Sequence, residues 1–254
     1  MTDRPILFSA PMIRALLDGR KTQARRVLNL PKKTHSGGPI YERKDMGGWE
    51  ATTIGGGGCF TIGRDGSRCP APERVGIWHQ TTGTCMVAPY QPGDRLWVRE
   101  AHALVPASAY RCSEGVEQAI DPVYPRQAAI YRAGWERSAP GVGWRPSIHM
   151  PRWASRLTLN VTDVRVQRVQ EISEDDARAE GSFLERCDCS AMRAKPKDWV
   201  MASFRQTACA YHGEEFRYLW NHLNASRGYG WEANPWVVAV TFSVERRNID
   251  APAA

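Results

Sequence analysis

Long apolar runs are missing from this 254-residue chain: nothing approaches the 18 or so residues that a membrane-spanning helix needs. The first residues also lack the pattern of a secretory leader, so a soluble cytoplasmic protein without membrane partners is the expectation. Cysteine is sparse and odd in number, seven in all, with none of the regular spacing of a secreted disulfide scaffold. Reduced thiols or metal ligands are expected instead. Several catalytic signatures are absent too. No HExxH occurs, which removes the commonest zinc-protease arrangement. The glycine run Gly55–Gly58 is not followed by the Lys-Ser/Thr of a phosphate loop, and His212-Gly213-Glu214 has no PCxxC behind it, which excludes the zinc-deaminase site. No internal repeat is present.

Acidic residues are scarce at one end, and that shortage is informative. Residues 1–33 hold eight cations (Arg4, Arg14, Arg20, Lys21, Arg25, Arg26, Lys32, Lys33) against Asp3 and Asp18. The surplus of six is nearly the whole formal charge of +7. Charge concentrated in this way fits a polyanion or an anionic group as partner. Within it, residues 6–30 read as a strand, a short amphipathic helix and a turn. Ile13, Leu16 and Leu17 keep helical spacing, Pro11 suits a first turn, and Gly19 stands where a left-handed cap would end the helix.

Further along, residues 31–91 are Gly-rich and read as an insertion with little regular structure. Pro92-Gly93-Asp94 is a turn opening a strand at Arg95–Glu100. A second insertion covers about 102–146, with a strand candidate at 128–133. Leu157, Leu159 and Val161 alternate, then Val164, Val166 and Val169 follow an expected turn at Thr162-Asp163. Ser173 and Asp176 form a helix-start pattern opening the helix that carries Glu180. A third insertion spans 182–211. A helix over Glu214–Leu223 shows Phe216, Leu219, Trp220 and Leu223 on one face, and a strand runs from Trp236 to Val244. Short strands with few helices predict a mainly β fold with peripheral helices, a single small barrel domain elaborated by these three insertions.

Gly19-Arg20-Lys21, continuing through Thr22, Gln23, Ala24 and Arg25, resembles the GxK-led signature of the ASCH family, whose domains have a PUA-like β-barrel. PGDRLWVRE at 92–100, the stretches 147–166 and 172–181, and the ending 216–245 resemble the ASCH-like proteins that bacteriophages and prophages encode. The resemblance implies the fold, and it implies a site. Some small ASCH proteins are amidohydrolases of N4-acetylcytidine with a catalytic Lys, a Thr three residues after it and a distal Glu. Those positions fall on Lys21, Ala24 and Glu180. The hydroxyl is therefore missing, and the nearest alternative, Thr22, would point to the neighbouring face in an extended segment. Attack on an amide would then need Lys21 itself or a water activated by Glu180.

On the residues alone, Lys21 suits either a base whose proton is disfavoured by neighbouring arginines or a solvated phosphate contact. Glu180 suits either catalysis or an ordinary helix surface. Arg20, Arg25 and Arg26 have the fork geometry for phosphate. Trp97 and Arg99 share one face of their strand, with Glu100 on the other. That face could stack a base, or Trp97 could be core while Arg99 pairs with Glu100 or another acid. Trp153 is expected in the core. For metal, Cys187, Cys189, Cys209 and His212 supply four soft ligands, a candidate structural zinc clip, and Cys59, Cys69, His79 and Cys85 form a weaker second set. No other cofactor is indicated. The reading adopted is a PUA-like protein that binds RNA, DNA or a modified nucleoside or nucleotide at the GRKTQARR turn. The alternatives are an ASCH-type amidohydrolase or ribonuclease, and a phage structural or assembly protein.

Overall fold

Alternation of apolar residues builds the centre of the protein. In the computed structural model, which describes residues 2–63, 65–135, 141–181 and 212–252, two long strands, β12 (Thr158–Arg168) and β13 (Trp236–Glu245), pair antiparallel along their length. Three shorter strands complete the sheet: β1 (Asp3–Leu7), β2 (Gln23–Val27) and β8 (Arg95–Arg99). Its order is β1-β8-β12-β13-β2, with only β1 and β8 parallel. Leu159, Val161, Val164 and Val166 of β12 and Val238, Val240 and Phe242 of β13 form one buried cluster with Ile6 of β1, Leu96 and Val98 of β8, and Ala24 of β2. Both edge strands thus serve the same core, and the sheet curls towards closure. It stays open. Among the described residues no ladder joins β1 to β2, so the closed barrel expected from the sequence is not formed.

The chain is mainly β, with 13 strands and few helices among the described residues. Thr162-Asp163 is not a turn. β12 runs through it with a register shift between Val161 and Asp163, which lets the apolar alternation change phase without breaking the strand. The turn at Pro92-Gly93 is present, with Gly93 at a φ of 85° as a type II turn requires.

Residues 31–91 are more regular than expected. They contain β3 (Trp49–Ile54), β4 (Phe60–Ile62), β5 (Arg68–Pro70), β6 (Arg74–His79) and β7 (Cys85–Val87), arranged as a three-stranded sheet β3-β6-β7 and a β4-β5 hairpin. The glycines that suggested irregularity sit in the turns: Gly55 to Gly58 all have positive φ between β3 and β4. Ile77 of β6 is fully buried in the main core, which ties this segment to the central sheet. Residues 102–146 likewise carry a sheet, β10-β11-β9, of β9 (His102–Pro106), β10 (Gln118–Ile120) and β11 (Gln127–Tyr131). A small cluster of Ala129, Tyr131, Met150 and Ala154 underlies it, and Trp153 packs on that cluster.

Three α-helices are described: α1 (Ala10–Leu17), α2 (Glu174–Ala179) and α3 (His212–Asn224). None is long and apolar enough to cross a membrane. α3 packs Phe216 and Trp220 over Val237 and Val169, with Val27 of β2 against the same cluster. That places α3 beside the edge of the central sheet formed by β2.

Candidate functional site

The end of α1 fixes the position of Lys21. The Gly19 amide donates to the Leu16 carbonyl and the Arg20 amide to the Ala15 carbonyl, a Schellman cap that needs the φ of 71° at Gly19. The chain then turns straight into β2, with Lys21 in an isolated bridge to Glu180 and the Thr22 amide donating to the Ala179 carbonyl. Ser173 caps α2 by accepting from the Asp176 amide, and Glu180 closes the helix at its other end. Gly181 follows at a φ of 85°, and a Cβ there would lie 3.0 Å from the Cβ atoms of Ala15 and Lys21. The close approach of α1, α2 and β2 therefore depends on glycine at that point.

Lys21 is almost completely buried, and its Nζ donates to Glu180 Oε2 and to the Glu180 carbonyl, both at 2.7 Å. Two residues on, Gln23 leaves the same strand face and donates to Asp176 Oδ1 and Thr241 Oγ1. Two further on, Arg25 donates to Asp176 Oδ2 at 2.8 Å and Glu180 Oε1 at 3.2 Å, with its side chain wholly buried. Arg165 approaches Asp176 from β12 at 2.9 Å. The result is a chain of charges, Lys21–Glu180–Arg25–Asp176–Arg165, most of it out of water. Burial pushes the Lys21 amine below the usual lysine value, with Arg26 and Arg25 acting in the same direction and Glu180 opposing them. At Asp176, burial alone would raise the pKa, but the hydrogen bonds from Arg165 and Gln23 and the charge of Arg25 hold it below the ordinary carboxylate value.

This network borders a cavity of about 460 Å³. Lys21, Arg25 and Glu180 lie on one side, Phe216, Leu219, Trp220 and Leu223 of α3 on another, and Leu7, Phe8 and Met12 across the gap between β1 and β2. Arg26 spans that gap. Its Nη2 donates to the Leu7 carbonyl at 2.6 Å and its guanidinium lies 5.1 Å from the centre of the Phe8 ring. Arg227, exposed beyond the end of α3, borders the same cavity. Arg25 Nε is buried and has no hydrogen-bond partner among the described residues.

Of the residues singled out in the sequence, Lys21, Glu180, Arg25 and Arg26 are brought together. Arg25, read as an anion contact, is instead neutralised internally by Glu180 and Asp176. Arg20 does not line the cavity; it pairs with Asp18 at 2.8 Å and donates to the Gly181 carbonyl. Thr22 is exposed and offers the cavity nothing, whereas Ala24 is buried in the main core; odd and even residues of the segment leave on opposite faces. Trp97, Arg99 and Glu100 do not line the cavity. Arg99 does lie over Trp97, 5.2 Å from its ring, but its Nη2 donates to the Ile148 carbonyl. Glu100 is buried and clasped by Arg156 at 2.8 and 2.9 Å, not by Arg99. Burial raises the Glu100 pKa even though Arg156 draws it down.

Cys187, Cys189 and Cys209 of the expected zinc clip lie outside the described residues. The second set is scattered: Cys59 and Cys69 are exposed on the β4-β5 hairpin, and His79 is buried at 5.0 Å edge-to-face with Trp49. Among the described residues no cluster of three or more His, Cys, Asp or Glu is arranged to hold a metal. The sequence reading missed Gln23, Asp176 and Arg227. The signal for the first was the spacing Lys21, Gln23, Arg25, which reads as one strand face once the segment is taken as extended rather than as a turn. Comparison of the chain with protein-family models, curated proteins and solved structures returned no match.

Proposed function

We propose that this chain is an ASCH-like, PUA-related binding protein that holds a nucleoside or nucleotide in the Lys21–Glu180 cavity, its anionic group on Arg26 and Arg227. One observation carries this reading. Lys21 and Arg25 are balanced by Glu180 and Asp176, while Arg26 and Arg227 border the same cavity without an ion pair among the described residues. A cavity of about 460 Å³ falls within the range of roughly 300–1,000 Å³ usual for small-molecule sites. Apolar walls from Phe8, Leu219 and Leu223 beside two cations match a ligand with a flat apolar part and a negative group. Titration of labelled mononucleotides and short RNA and DNA strands at rising salt tests it. Affinity should fall linearly in log–log form, and Arg26→Ala should weaken binding to all of them. Salt-independent binding, or none, would remove the proposal.

The Lys21–Glu180 contact supports a second reading, amide hydrolysis of an acylated nucleoside. A buried amine whose pKa burial lowers, 2.7 Å from a carboxylate, has the geometry to exchange a proton with a leaving group. The position of Ala24 weighs against it, because a hydroxyl there would enter the core and not the cavity. Wild type, Lys21→Arg, Glu180→Gln and Ala24→Thr should be assayed on N4-acetylcytidine. A binder gives no turnover and retains affinity in Lys21→Arg. Wild-type turnover abolished by Lys21→Arg would replace the binding reading with the enzymatic one.

A further inference from the structure

We infer that a second, smaller cavity at the opposite end of α1 takes a nucleobase, so that the ligand is a single strand of two or more nucleotides running past α1. This rests on the nucleotide reading of the first cavity. The second cavity, of about 110 Å³, is lined by Leu17, Glu117, Tyr131, Trp135 and Arg156, with Gly115 and Gly134. Both glycines have positive φ, and a Cβ at either would meet nothing within 4 Å. The wall is open there because no side chain fills it.

Trp135 is the middle ring of an edge-to-face series, 5.3 Å from Tyr110 and 5.4 Å from Trp144. All three rings are half-buried. Tyr110 has a φ of 62°, a backbone conformation that bulky residues rarely adopt and that persists only where the surroundings enforce it. Arg156 is equally fixed. It clasps Glu100, lies 4.1 Å over the Tyr131 ring and donates to Glu117 Oε2 at 2.5 Å. Glu117 is 58% exposed at its side chain, and its other oxygen remains available as an acceptor. Among the lining residues Glu117 is paired with Arg156, so the cavity offers neither a spare cation for an anionic occupant nor a spare carboxylate for a cationic one. A neutral base fits: its flat face lies against Trp135 and its exocyclic amine donates to Glu117. The phosphate then lies outside, where Arg14 stands exposed one helical turn before Leu17 without an ion pair among the described residues.

The spacing suits one strand. Ser9 and Met12 border the first cavity and Leu17 the second. Five to eight residues of helix at about 1.5 Å each separate them by roughly 8–12 Å along the axis. A stacked strand advances about 3.4 Å per nucleotide and an extended one roughly twice that, which gives about two to three nucleotides if stacked and about one to two if extended.

Binding of cytidine and uridine oligonucleotides of one to six residues should be measured by fluorescence with wild type, Trp135→Leu, Glu117→Gln and Arg26→Ala, and with acetyl-arginine amide as a cationic probe. The expected result is at least a tenfold gain between mononucleotide and trinucleotide in wild type. Trp135→Leu should erase that gain and leave mononucleotide affinity unchanged, and Glu117→Gln should erase any preference for cytidine over uridine without unfolding the protein. Affinity independent of length, with mononucleotides still bound through Arg26, would overturn the second cavity and spare the first. Oligonucleotide binding that is indifferent to Arg26→Ala would overturn the reading of the first cavity and, with it, this one. Binding of the arginine amide lost in Trp135→Leu, without any effect of strand length, would assign the cavity to a protein partner instead.

Discussion

Arg25 is buried between Glu180 and Asp176, while its neighbour Arg26 reaches out to the Leu7 carbonyl, because successive side chains of β2 leave on opposite faces. The two should therefore fail differently. Arg25→Met takes a shared buried partner from two carboxylates, leaving Glu180 to Lys21 and Asp176 to Arg165 and Gln23, and should cost up to about 3 kcal/mol in urea unfolding, the lower end for breaking a buried pair. Arg26→Ala should change stability by less than about 1 kcal/mol and lower the slope of log affinity against log salt by about 0.7–1. Acid should attack the same network. Asp176 has a lowered pKa in the folded protein, so its stabilisation is fully present above the unfolded value near 4 and is lost as pH falls through the lower folded value. Asp176→Asn should be less stable than wild type at neutral pH and should show a smaller further loss below about pH 4, measured by chemical denaturation across pH. Lys21 and Glu180 were legible as a pair only through the family resemblance. Asp176, Gln23 and Arg165 were not, since three separate elements bring them together and no local spacing records it.

Among the elements, α2 does the most with the least sequence. It has six residues, too few to be helical alone, and is held by the Ser173 cap, the three acids of its first turn and its packing on α3. Ser173→Ala should cost about 1 kcal/mol. Because α2 presents Glu180, the same change should also loosen the cover over Lys21, read as faster modification of Lys21 by an amine reagent in peptide mapping. Gly19→Ala, in the left-handed cap of α1, should cost about 1–2 kcal/mol by the same unfolding measurement. These caps were readable from the sequence because each depends on one residue type at one position. The bulge in β12 was not, since a pair of polar residues between two apolar alternations marks a turn and a bulge equally well. The strands of residues 31–91 were hidden by glycines that belong to the turns between them.

Across the whole molecule, the charge pattern overstated how many of the N-terminal cations lack an internal partner. GRKTQARR carries four cations, Arg20, Lys21, Arg25 and Arg26. With Lys21 and Arg25 compensated, two contacts at Arg26 and Arg227 predict a slope of about 1.4 for a short single strand, and the addition of Arg14 about 2. A measured slope near 3 would mean that Arg20 or another surface cation joins the contact. The barrel implied by the resemblance was not formed as such: the same strands that would close it leave a gap, and Phe8, Arg26 and α3 occupy its margin.

That gap has a consequence for how the protein is made. Among the described residues β2 pairs only with β13, and Gln23 waits for Thr241, roughly 220 residues later, before its strand can pair. At about 5–20 residues per second of synthesis, the basic segment spends roughly 10–40 s outside the ribosome with its strand edge unsatisfied. Contacts of such long sequence separation also slow folding itself. The strand that carries Lys21 and Arg25 is thus paired only after β13 has been made, later than the α2 carboxylates that balance those cations.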